Sequence, residues 1–68
     1  MEILREVSCR VRRGMGPHWI DKTVTVFLDD IDCDATEGEI RELVLLDVKE
    51  QLERMGYVKY TVKDINTA

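Results

Sequence analysis

Asp30, Asp32 and Asp34 occupy alternate positions in an acidic run that also holds Asp29, Glu37 and Glu39. Carboxylates at every second residue open a calcium loop, because their oxygens converge on one hard cation. The rest of such a loop is missing here. Its sixth position needs glycine and holds Ala35, and its twelfth needs a bidentate glutamate and holds Arg41. The run also follows a strand-like segment rather than a helix. A capping role fits it better, since carboxylates at a helix N-terminus each gain at most about 0.3–1 kcal/mol from the helix dipole. We therefore expect no metal.

Gly14 and Gly16 beside Arg12 and Arg13 have the charge and freedom of a phosphate loop. They lack the lysine and the following helix that such a loop needs. His18, the single histidine, has no cysteine or histidine at ligand spacing. No serine or cysteine stands in a pattern with a base, and so short a chain leaves little room for a closed pocket. The expectation is a non-enzyme without cofactor. The loop itself is long for a hairpin, eight residues from Arg12 to Trp19 where about two to five suffice. Arg12, Arg13, Met15, His18 and Trp19 are types that anchor protein contacts. For Trp19 two readings stay open, a partner anchor or a lid over the end of the core.

Those residues need elements to hold them. Ile3, Val7, Cys9 and Val11 alternate with Glu2, Glu6, Ser8, Arg10 and Arg12, which is period two and predicts a half-buried strand. Leu4 and Arg5 are out of phase with it. Lys22 to Leu28 predicts a second strand, with Val24, Val26 and Leu28 inward. Pairing the two as a hairpin about residues 14–21 places Cys9 opposite Val26. Cys33 then lies roughly 20 Å away along the strand, so both cysteines are expected as free thiols.

Thr36-Glu37-Gly38-Glu39 has capping-box spacing, with Asp34 as a competing cap, and Gly56 has the place of a C-terminal glycine. Between them Ile40, Val44, Leu45, Val48, Leu52 and Met55 form one apolar stripe at about 100° per residue. Leu43 and Leu46 fall on the opposite, charged side and predict self-association into a homodimer. Val58, Tyr60 and Val62 give a third strand. A right-handed crossover returns it beside the first. The expected fold is α+β: a two-layer sandwich, one helix on an antiparallel three-stranded sheet of order 2-1-3, as a single domain over residues 1–68.

The 68 residues carry a net charge of −4, unevenly spread. Residues 1–25 hold five basic against three acidic groups, and residues 26–68 five against eleven. Such bipolarity orients an encounter. No apolar run approaches the ~20 residues of a membrane span, and the start lacks the pattern of a signal peptide. A cytoplasmic location is expected.

The outer sheet face gathers Arg10, Arg12, Phe27, Lys59 and Lys63, cations around an aromatic ring, which would suit single-stranded nucleic acid. A pI near 4.8 and an acidic helix oppose it. The strand-strand-helix-strand plan and size of the chain resemble compact phage-encoded inhibitors of host machinery, among them an acidic inhibitor of bacterial RNA polymerase. That resemblance implies an acidic surface at 29–42 docking into a basic host groove as a mimic of nucleic acid. The expected function is a protein-binding module, of this inhibitor type where the resemblance holds, acting through the acidic patch and the 12–19 loop. The alternative is a nucleic-acid-binding accessory protein.

Overall fold

The computed structural model describes residues 1–12, Gly14 and residues 17–67. Strand β1 (Ile3–Arg12) pairs antiparallel with β2 (Ile20–Leu28) on one side and with β3 (Lys59–Thr67) on the other. The sheet order is β2-β1-β3, and helix α1 (Glu37–Arg54) lies across one face. The expected α+β arrangement is the observed one.

Alternation does the folding work, because successive strand residues face opposite sides of the sheet. Val7, Cys9, Val11, Val24 and Val26 point under the helix and are at most 2% exposed. Val44, Val48 and Leu52 meet them from α1 and are equally buried. Ile40 and Leu45 from the predicted stripe are half-buried. Met55 is instead the helix C-cap and is 38% exposed. It lies past the last helical turn, so the periodic angle no longer applies to it.

Both helix ends follow the sequence signals. The Thr36 hydroxyl accepts the Glu39 amide at 3.2 Å. At the other end the Tyr57 amide donates to the Leu52 carbonyl and the Gly56 amide to the Glu53 carbonyl, each at 3.0 Å. These two bonds make a Schellman turn, and Gly56 takes the left-handed conformation it requires, with φ +89°.

Three details differ from the sequence reading. Cys9 faces Lys22, not Val26, because the hairpin reverses four positions tighter than residues 14–21 imply. Gly14, with φ +65°, starts the reversal early, and β2 accordingly begins at Ile20. An even shift keeps every side chain on its predicted face. Val58 is 70% exposed and lies outside β3, which starts at Lys59. Finally, β3 runs on to Thr67 through a bulge. Ser8 pairs with Asp64 and Cys9 with Val62, leaving Lys63 as the extra residue, so Ile65 turns inward.

Candidate functional site

Helix α1 does not sit over the middle of the sheet. The Gln51 amide nitrogen donates to the Thr25 carbonyl of β2 at 3.0 Å, and this leans the helix toward β2. Ile20 and Leu28, at the ends of the inward face of β2, are not sealed, while Val24 and Val26 in its middle are. Their counterparts on β3, Tyr60, Val62 and Ile65, remain only half-buried. A groove is left along the β3 side. Near the start of the helix it opens into a cleft of about 370 Å³, with Arg5 and Arg41 at its mouth and Ile40, Val44 and Ile65 as its floor. Farther along, Leu45, Leu46 and Tyr60 line a second depression of about 400 Å³ between Glu42 and Lys49.

The acidic patch lies at the end of the molecule where β2 passes into the helix. Asp29, Asp30, Asp32, Asp34, Glu37 and Glu39 are all exposed. Asp30 adopts φ +56°, and its amide donates to the Asp29 carboxylate at 2.9 Å. Aspartate tolerates that conformation better than most side chains. Met1 and Ile31 exchange backbone hydrogen bonds of 3.0 Å, tying the acidic turn to the start of β1. Among the described residues no three acidic, histidine or cysteine side chains converge as metal ligands would. Cys33 is exposed in the same turn and Cys9 is buried; both are free thiols. Burial raises the Cys9 pKa above its ordinary value, because the thiolate would lose its hydration.

Arg12, His18 and Trp19 lie at the other end, separated from the acidic turn by the nine residues of β2, roughly 30 Å of strand. Trp19 is 40% exposed and carries the Arg12 guanidinium 4.9 Å from its ring centre. It stacks against Arg12 and is not among the residues packed on the core cluster. Such a stack is worth about 0.5–1 kcal/mol at an exposed position. Arg12 Nε is buried there without a hydrogen-bond partner among the described residues. His18 is exposed and joins Val11, Ile20 and Tyr57 around a shallow cleft. Arg13 and Met15, the other two expected contact residues of the loop, lie outside the described residues.

The outer sheet face is less cationic than its residue types suggest. Asp21 stands 3.6 Å from Arg10 and 3.7 Å from Lys63, so one carboxylate answers two of the expected cations. Phe27, 56% exposed, pairs across the strands with Leu4, itself 42% exposed. Arg12 and Lys59 face each other eight strand positions farther along, about 27 Å from that ring. The cations do not surround the phenylalanine. Glu6 and Asp64 also occupy the stretch between.

Leu43 and Leu46 are 40% and 58% exposed on the helix, as its period predicts. The groove residues Arg5, Arg41, Tyr60 and Ile65 did not stand out as site residues in the sequence. Arg5 gave a signal nonetheless, as a cation on the apolar face of β1. No helix is long and apolar enough to cross a membrane among the described residues. Compared with known proteins, the chain matches no protein-family model, no curated protein and no solved structure.

Proposed function

We propose that this chain is a small, non-catalytic protein-binding module working in the cytoplasm. The observation that supports it most is the apolar groove left open between the helix and β3, an edge strand, beside a sealed core. Open edges and uncovered apolar surface invite a partner.

The acidic end is the steering surface in this reading. Its six carboxylates are exposed, and among the described residues none has a cation within salt-bridge distance. They would orient the molecule toward a basic groove, as the likeness in layout to phage inhibitors of host machinery implies. Arg12, His18 and Trp19 lie at the opposite end, so a partner that touches both ends must span the long axis of about 43 Å. Self-association through Leu43 and Leu46 belongs to the same proposal, because two-fold symmetry lets one patch cover itself.

A nucleic-acid reading draws support from Arg12 and Trp19, a cation and a ring already stacked beside Lys59. One titration separates the two. A labelled single-stranded oligonucleotide at low salt is expected to stay free. Binding that weakens steeply with salt would sink the protein-binding reading in favour of phosphate contacts. In parallel, capture of a lysate protein is expected to weaken when Asp29, Asp30, Asp32 and Asp34 become asparagine. Capture indifferent to those changes removes the acidic end from the proposal.

A further inference from the structure

We infer that the cleft between the start of α1, the start of β1 and the end of β3 binds a small amphipathic anion, a carboxylate on a short aliphatic chain. The inference goes beyond the protein-binding reading and does not depend on it.

Arg5 is the first observation. On the helix-facing side of β1 its companions are the buried Ile3, Val7, Cys9 and Val11, and its partners across the ladders are Val26 and Thr67. A half-buried guanidinium is thus set into an apolar surface, where a charge is costly unless an opposite charge meets it. Among the described residues none does. Arg5 donates from Nη1 to the Leu4 carbonyl at 2.9 Å, which leaves most of its five donors unused. Arg41 lines the same cleft from the helix and likewise has no carboxylate within salt-bridge distance among the described residues. A stem that merely covers the edge of the core would account for one arginine, but not for two unpaired at one opening.

The cleft supplies the rest of a site. Its volume of about 370 Å³ falls at the small end of the range of roughly 300–1,000 Å³ that ligand pockets occupy. Ile40, Val44 and Ile65 form an apolar floor on which an aliphatic tail would leave water. Glu37 and Gly38 begin the helix at the rim, and first-turn amides have no carbonyl partner within a helix. Their partial positive charge adds to that of the arginines. The Glu37 carboxylate opposes this, and it narrows the class of anion. Exposed on the same rim, it repels a dianion such as a phosphate monoester about twice as strongly as a monoanion. A carboxylate also matches the planar fork of an arginine in a bidentate pair.

The probe is octanoate at monomeric concentrations, titrated into isotopically labelled full-length protein beside octanol, octylamine and acetate. Saturable resonance changes are expected for octanoate at Arg5, Gly38, Ile40, Arg41 and Ile65. Octanol and acetate, each keeping one half of the ligand, should bind about tenfold more weakly, and octylamine should not bind. Arg5→Gln and Arg41→Gln should each weaken octanoate about tenfold and leave octanol unchanged, whereas Glu37→Gln should tighten octanoate. The ligand series on the wild type decides the matter even where a variant fails to fold. Equal affinity for octanoate, octanol and octylamine overturns the inference, because an apolar cleft alone would then suffice. So do changes centred on Leu4 and Phe27 or on Leu46, or the absence of saturation at millimolar octanoate. The same chemistry occurs at the end of a peptide whose last residue is aliphatic. Acetylglycylleucine, as free acid and as amide, separates that source from a small acid. A free acid that binds tighter than octanoate, with an inert amide, names a protein terminus; the reverse order names a small acid, and both keep the carboxylate site.

Discussion

The Gln51 side chain reaches the Thr25 carbonyl at 3.0 Å, and that bond links the last turns of the helix to one edge of the sheet. A second contact, to the Asp47 carboxylate at 2.7 Å, holds the amide in place. The bond lies on the side of the sheet toward which the helix is offset. Gln51→Leu removes both bonds and leaves an exposed carbonyl that water can satisfy, so the cost should be about 1 kcal/mol. Denaturant titration measures it. A loss above about 3 kcal/mol would mean that the bond organises the core as well.

Gly56 should be sensitive to substitution although it is exposed. Its φ of +89° costs an L side chain roughly 1–2 kcal/mol, although a Cβ there would meet nothing within 4 Å. Gly56→Ala should therefore destabilise by conformational strain alone. A thermal melt unchanged from wild type would show that the Schellman turn can be replaced without loss.

The two thiols should behave differently. Cys33 is exposed and should react with a thiol reagent in the native state, while Cys9 should react only on unfolding. The sign of the pH effect follows from the raised pKa of Cys9. Its contribution to stability is complete below the ordinary value of 9.0, then falls as pH rises and the unfolded chain ionises first. Cys9→Ala should flatten that alkaline slope relative to wild type. A slope identical in the two proteins would place the effect elsewhere.

Calcium at millimolar concentration should move the melting temperature by no more than about one degree, because tight binding to the folded state would add several kcal/mol. The acidic turn carries its carboxylates outward and not onto one point. A shift on the order of ten degrees would require the turn to rearrange around the ion.

Leu46→Glu tests assembly. Burying each leucine is worth about 1.5–3 kcal/mol, and Leu46 is the more exposed of the pair at 58%. Sedimentation of the wild type at micromolar concentration should show a dimer, and the variant should be a folded monomer. A wild-type monomer ends the self-association proposal. A dimer that survives the substitution must be built on another surface.

Much of the architecture was legible because it is written locally. Period two in β1, the threonine cap, and Gly56 each act within a few residues of themselves, and strand order followed from the handedness of the crossover. The hairpin register was not legible, since a loop with two glycines can reverse at more than one place. Beyond Val62 the bulge at Lys63 and Asp64 reverses the alternation, which hid the inward turn of Ile65 and the true length of β3. The exposed leucines and carboxylates were readable from the helix period and the charge run. The groove was not, because it arises from the sideways offset of the helix on the sheet. The bridging role of Asp21 likewise needs β2 and β3 on either side of β1.

The separation of Trp19 from Cys33 turns the molecule into its own measuring stick. One end holds the single tryptophan and the other the single exposed thiol, with the nine residues of β2 between them. That spacing, roughly 30 Å of strand, suits energy transfer from the indole to a dye attached at Cys33. Unfolding, or a partner that bends the sheet, would change the transfer efficiency without any engineered label site.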